Sequence, residues 1–222
     1  YSINIDGSNK KLLSKYNGVN NAVFSNSFDY FINTNSKANE PNYITLNNKK
    51  GKLIRIIKDS EKLQKTLTEY SLSKKEFFSF ETDYKVSLNG WIIKPPDFDA
   101  SKKYPVLMYV YGGPGNQQVL DSWGGRNYLW YQYLAQQGLI IVCVDNRGTG
   151  GRGADFKKCT YKELGKLETE DQIAANKYLA SLDYIDQKKI GIWGWSYGGY
   201  MSSLCLLKGN DIFNFAIAVA PV

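Results

Sequence analysis

Residues 188–203 read KKIGIWGWSYGGYMSS, and no other stretch restricts the chain so tightly. The apolar run at its start predicts a buried strand, and the residues from Tyr197 onward predict a helix. Between them lies Gly194-Trp195-Ser196-Tyr197-Gly198, a Gly-x-Ser-x-Gly pattern at a strand-to-helix turn. Such a turn exposes a serine hydroxyl only if Ser196 adopts a positive φ, and glycines on either side remove the side chains that would collide there. A helix starting at Tyr197 also directs backbone N–H groups at any oxyanion formed beside the serine. The competing reading is a glycine-rich turn whose serine merely caps the helix. A nucleophilic serine needs a base, yet the 222 residues include no histidine.

The surroundings predict a sheet that suits this turn. From residue 76, EFFSFET and KVSLNGWIIKPP predict a hairpin, and YPVLMYVYGGPG predicts a strand entering a glycine loop. GGRNYLWYQYLAQQG predicts a helix closed by glycine, LIIVCVDNRGTGG a second buried strand, and LETEDQIAANKYLASL an amphipathic helix. KIGIWGW is a strand, YGGYMSSLCLLKG a helix and NFAIAVAPV a last strand. Near-continuous apolar strands alternating with helices define the α/β class, a mostly parallel sheet covered on both faces. Function in such sheets collects at the carboxyl ends of strands. Two loops besides the serine turn fall there, YVYGGPG at 109–115 and VDNRGTGG at 144–151. The first also reads as an aromatic strand ending in a tight turn. In the second, Arg147 or Arg152 pairing with Asp145 or Asp171 would brace the loop, a structural role preferred to an anion site because no Lys-Ser/Thr follows the glycines.

The first third differs. Residues 1–80 hold 3 of the 20 glycines and 13 Lys/Arg against 7 Asp/Glu, which accounts for most of the net charge of +7. Short strands are expected at 1–6, 11–16, 28–34, 42–46 and 53–59 between Asn/Gly turns, with a helix over 60–70 capped by Ser60. This is an antiparallel unit resembling one blade of a β-propeller, which cannot bury both faces alone. The domains are therefore placed at 1–75 and 76–222. The lysines are scattered among Asn and Ser without a basic helix or a stacking motif, so a solvated surface is expected and no nucleic-acid partner. Cys143, Cys159 and Cys205 show no metal-ligand spacing and are expected as small buried hydrophobes. No apolar run reaches the roughly 18 residues of a membrane span. The opening YSINIDGSNKK reads as a strand entering a turn, so the N-terminus is expected upstream.

GWSYGGYMSS, YVYGGPG, DNRGTGGRG, TEDQIAA and AIAVAPV, in this order, resemble the dipeptidyl peptidase IV branch of the prolyl oligopeptidase family. The likeness is strong over 76–222 and looser over 1–75. It implies an N-terminal β-propeller followed by an α/β-hydrolase domain, of which this chain would carry the last blade and the first half. By the same resemblance Ser196 is the nucleophile, and the Tyr197 N–H and the Tyr111 hydroxyl are the oxyanion donors. The Tyr197 ring and Val222 line the pocket for a penultimate proline. The family's acid and histidine lie after the last strand present here, and its amine-holding glutamates lie on propeller before residue 1. The resemblance thus accounts for the missing base and implies that these 222 residues alone are inactive.

The resemblance implies peptide substrates with Pro or Ala at the penultimate position, no cofactor, a parent that forms homodimers and a periplasmic or secreted location. Two alternatives stay open: a prolyl tripeptidyl peptidase of the same family, and a non-catalytic binding relative with the same fold.

Overall fold

Large apolar residues interspersed with asparagine and threonine in the second and third, and with arginine and lysine in the fourth, build the first four strands of the computed structural model, which describes residues 1–222. They are β1 (Val19–Phe24), β2 (Tyr30–Lys37), β3 (Glu40–Asn48) and β4 (Leu53–Lys58), and they form an antiparallel meander in the order β1-β2-β3-β4. The helix α1 (Glu61–Leu67) follows. Residues 1–72 and 120–128 make up this unit; residues 73–119 and 129–222 make up a second. Within the first unit, the Val19 N–H donates to the Asp121 carbonyl and the Ala38 N–H to the Asp121 carboxylate, which ties the 120–128 segment to it.

Three expectations for this unit need correcting. Residues 1–6 and 11–16 are not strands; they meet only in an isolated bridge between Ser2 and Lys11. The first strand is instead β1, whose VNN start reads locally as a turn. Asparagine is a poor strand former, but here its amide is used across the ladder. Asn33 Nδ2 and Asn35 Nδ2 both donate to Asn20 Oδ1, at 2.9 and 3.2 Å, so pairing outweighs local preference. Ser60 does precede α1, but its hydroxyl donates to the Asn42 carbonyl at 2.6 Å and makes no cap; the Glu61 N–H is taken by Asp59 Oδ1.

The second unit contains β5 (Lys75–Glu81), β6 (Ser87–Ile93), β7 (Tyr104–Tyr109), α2 (Arg126–Gln136), β8 (Ile140–Asp145), α3 (Ala154–Lys158), α4 (Lys166–Ala180), β9 (Ile185–Trp195), α5 (Tyr197–Lys208) and β10 (Phe215–Val219). Helix α2 starts within the 120–128 segment and runs on into this unit. The sheet order is β10-β9-β7-β8-β6-β5, with the first four strands parallel and the β5–β6 hairpin antiparallel at one edge. The short α3 was not anticipated; five residues carry too little periodicity to be read.

Side chains alternate across this sheet as the pleat requires. Val106, Met108, Ile140, Val142, Val144, Ile190 and Ile192 face one core with Leu179 of α4 and Met201 of α5. Leu107, Ile141 and Cys143 face the other with Tyr131 and Ala135 of α2. Because both faces of the central strands are covered, β7, β8 and the second half of β9 are apolar almost throughout, which is why their sequences show runs instead of alternation. Cys143 and Cys205 are buried as expected, whereas Cys159 is exposed.

The topology also fixes where a site forms. From β7 the chain crosses through α2 to β8 on one side, and from β9 it crosses through α5 to β10 on the other. β7 and β9 are neighbours, so their carboxyl ends flank the point where the direction of winding reverses. Crevices at such points hold the ligands of open α/β sheets.

Candidate active site

Ser196 and Tyr111 sit at that point, one at the end of β9 and the other two residues past the end of β7. Ser196 has φ 57° and ψ −121°, a conformation that costs a residue with a side chain about 1–3 kcal/mol. Three backbone bonds hold it: the Ser196 N–H donates to Val219 O at 2.9 Å, and Ser196 O accepts from the Gly199 N–H at 2.8 Å and the Tyr200 N–H at 3.1 Å. Its hydroxyl makes no capping bond to α5. The helix-cap reading of this serine therefore has no support, and the hydroxyl is left for other work.

Steric need explains the two flanking glycines. A Cβ on Gly194 would lie 2.3 Å from the Val110 carbonyl oxygen, and one on Gly198 would lie 2.2 Å from the same atom and 3.1 Å from Tyr111 Cα. The serine turn is thus pressed directly onto the backbone that leads into Tyr111. The rings of Tyr111 and Tyr197 are 6.2 Å apart, and Gly113 leaves room for Tyr111 Cε1, which would be 2.7 Å from a Cβ there. As the first residue of α5, Tyr197 presents an N–H that has no acceptor within the helix.

Tyr197 is held from below. Its hydroxyl donates to Glu168 Oε1 at 2.9 Å, and Glu168 Oε2 accepts the Gly165 N–H at 3.0 Å at the start of α4. Glu168 is fully buried, and that burial raises its pKa, partly offset by the hydrogen bonds it accepts. The Tyr197 phenol is pushed up as well, by burial first and then by the adjacent carboxylate. Glu168 was not singled out from sequence. Its only local signal is its place three residues after Gly165, where a glutamate closes back on the helix start.

The 112–119 loop that follows Tyr111 is tied to the end of β8. Asp145 accepts the N–H groups of Gln118 and Val119, both at 2.9 Å, and burial pushes its pKa up to about 6. Gly115 N–H donates to Gly148 O at 2.8 Å. Of the pairings left open for the 144–151 loop, the structure selects Arg147 with Asp171, at 2.8 Å, with Glu170 as an outer partner at 3.2 Å. The Arg147 N–H also donates to Asp171 Oδ2, and the Tyr84 hydroxyl donates to Asp171 Oδ1. Arg152 donates to the Ser87 carbonyl instead. This is a brace, not an anion site.

Val222 is 78% exposed. Its neighbour Pro221 reaches α5, with Cα 3.2 Å from where a Cβ on Gly199 would be. The geometry brings Ser196, Tyr197 and Tyr111 together; Val222 follows the strand that buttresses them. A cavity of about 910 Å³ between Pro114 and the 157–164 segment includes none of the four.

A strained serine turn at the switch point of a mostly parallel sheet, helices on both faces, defines the class: an α/β-hydrolase fold, here with an antiparallel sheet resembling one propeller blade ahead of it. Comparison with known proteins narrows this. The profile described as the prolyl oligopeptidase family of peptidases matches residues 127–222. Human prolyl endopeptidase FAP is 44% identical over 170 residues, 76% of this chain and 22% of its own length. The probable dipeptidyl peptidase 4 of Aspergillus flavus is 36% identical over 202 residues, 90% of this chain and 26% of its own length. A crystal structure of Porphyromonas gingivalis dipeptidyl peptidase 4 superposes with a TM-score of 0.93 at 46% identity, over 99% of this chain and 31% of that one. The chain belongs to the prolyl oligopeptidase family, in its dipeptidyl peptidase IV branch. It spans about a quarter of the length of these curated relatives.

Proposed function

We propose that the protein to which these residues belong is a serine exopeptidase that releases N-terminal dipeptides with Pro or Ala at the penultimate position. The observation that carries this reading is the contact between the strained Ser196 turn, whose hydroxyl makes no cap bond, and the Val110–Tyr111 backbone. Ser196 Oγ attacks the carbonyl of the second substrate residue and its proton passes to a histidine. The Tyr197 N–H and the Tyr111 hydroxyl stabilise the oxyanion. The C–N bond then breaks, the departing amine takes the proton from the histidine, and water hydrolyses the acyl-enzyme. The Tyr197 ring and Val222 line the pocket for the penultimate side chain.

An α/β-hydrolase supplies its triad in the order Ser, acid, His; with no histidine among these residues, the family's acid and histidine are assigned outside them. The acids that hold the substrate's free amine belong to propeller preceding residue 1. Both assignments rest on the family, as do export to the periplasm or medium and assembly as a homodimer. No helix of the structure is long and apolar enough to cross a membrane. The test is turnover of Gly-Pro-p-nitroanilide by the complete gene product and its Ser196→Ala variant. Cleavage abolished by the substitution is expected; cleavage that survives it, or no cleavage of any N-terminal dipeptide or tripeptide substrate, would sink the reading.

A further inference from the structure

Tyr111 lies on a loop, and a loop that stabilises charge only in a transition state must be held before the charge appears. On one side of Tyr111 the hold is plain: the Val110 N–H donates to Trp193 O at 2.9 Å, an extension of the β7–β9 ladder. On the other side is Gly112, at φ +74°, beyond the reach of any ladder. Its carbonyl accepts from Asn146 Nδ2 at 3.1 Å. Asn146 is wholly buried, and its Nδ2 donates also to Arg147 O at 2.7 Å. Its Oδ1 accepts from Gln172 Nε2 at 3.1 Å, and that nitrogen also donates to Val144 O at 2.9 Å. Gln172, on α4, is wholly buried too.

The chemistry of these partners dictates the orientation of both amides. Gly112 O, Arg147 O and Val144 O can only accept, so each must face an NH₂ group. An aspartate at 146 would set a carboxylate oxygen against two carbonyls, and an alanine would leave both carbonyls buried without this donor. The fit is tight as well: a Cβ on Gly112 would stand 2.9 Å from Asn146 Oδ1.

We propose that Asn146 and Gln172 are positioning residues that hold the Gly112 peptide and thereby aim the Tyr111 hydroxyl at the developing oxyanion. The inference rests on the reading of Tyr111 as an oxyanion donor and adds the device that directs it. Neither residue touches substrate. Their effect is carried by one backbone carbonyl next to Tyr111, so it must vanish once the hydroxyl is gone.

A double-mutant cycle on the complete gene product tests this, with kcat and KM for Gly-Pro-p-nitroanilide measured on Tyr111→Phe, Asn146→Ala and the pair. Tyr111→Phe is expected to lower kcat by roughly 10²–10³ with a much smaller change in KM. Asn146→Ala is expected to lower kcat by roughly 10–100-fold, again mainly in kcat. In the double variant the Asn146 substitution should add almost nothing to Tyr111→Phe, because the residue that it aims no longer donates. Gln172→Met, of similar length and without the amide, repeats the test from the outer member. Losses that multiply, or an Asn146 effect that falls on KM, overturn the inference while leaving Tyr111 as donor. A folded Tyr111→Phe with unchanged kcat removes the underlying reading instead, and the inference with it. Thermal melts accompany each protein; failure of both Asn146→Ala and Gln172→Met to fold assigns the pair to core stability and also overturns it.

Discussion

Asp171 is the residue on which the 144–151 loop turns. It is fully buried and accepts from the Arg147 side chain, the Arg147 N–H and the Tyr84 hydroxyl, while the Arg147 guanidinium lies 4.7 Å from the centre of the Tyr84 ring. A buried pair of this kind adds little net stability as a pair, but removing one member strands the other. We predict that Arg147→Ala destabilises the protein by about 3 kcal/mol, toward the low end for a broken buried pair, because 16% of the Arg147 side chain stays in water. Arg147→Lys should recover little of this, since an ammonium cannot reproduce the Nε and Nη2 contacts with one carboxylate. Urea unfolding of the complete protein measures both. A loss below about 1 kcal/mol would mean that the pair behaves as a surface ion pair.

Among elements, the packing of α5 against the chain just past β7 leaves no slack. The atom nearest a Cβ on Gly198 is a main-chain oxygen at 2.2 Å, which cannot swing aside as a side chain would. Gly198→Ala should therefore cost about 1–3 kcal/mol and displace the serine turn from Tyr111, so kcat falls more than stability alone explains. A crystal structure of the variant with Ser196 unmoved would contradict this. The link between β8 and the 112–119 loop has a pH signature. Asp145 titrates at about 6 in the folded state and near 3.9 unfolded, so between these values the native state binds more protons. Its contribution to stability therefore falls as pH rises from about 4 to 6 and is flat above. Glu168, raised by burial, acts with the same sign. Denaturation at stepped pH should show this slope in the wild type and a shallower one in Asp145→Asn; parallel curves would exclude Asp145 as its source.

At the scale of the whole molecule, apolar surface decides how these 222 residues behave alone. Val23, Phe28 and Ile54 of the first unit are more than half exposed, and so is Leu207 of the second, with Phe215 and Ile217 of the edge strand β10 close to half. β10 also has a partner on one side only. Open apolar edges template further pairing. We predict that the isolated 222-residue polypeptide self-associates at micromolar concentration and does not turn over Gly-Pro-p-nitroanilide, since it contains no histidine and a nucleophilic serine without its base retains only weak residual catalysis. Light scattering and a Ser196→Ala control check the two parts. A monodisperse, active monomer would contradict both.

The serine turn, the β7 and β9 strands and the α/β class are all legible in the order of residues, because these rest on strictly local demands. A backbone that must turn at positive φ needs its glycines in fixed places, and a strand buried on both faces must be apolar throughout. The resemblance carried by GWSYGG and YVYGGPG added Tyr111 and Tyr197 for the same reason. That β9 lies beside β7, so that residues 111 and 196, far apart in sequence, meet at neighbouring strand ends, follows from strand pairing alone. Pairing and packing also brought Asn146 and Gln172 against Gly112 and Glu168 against Tyr197, since a buried amide or carboxylate has no sequence period and is defined by partners on other elements. Pairing likewise turned the asparagines of β1 into strand residues, because cross-strand amide bonds outweighed a local preference for turns.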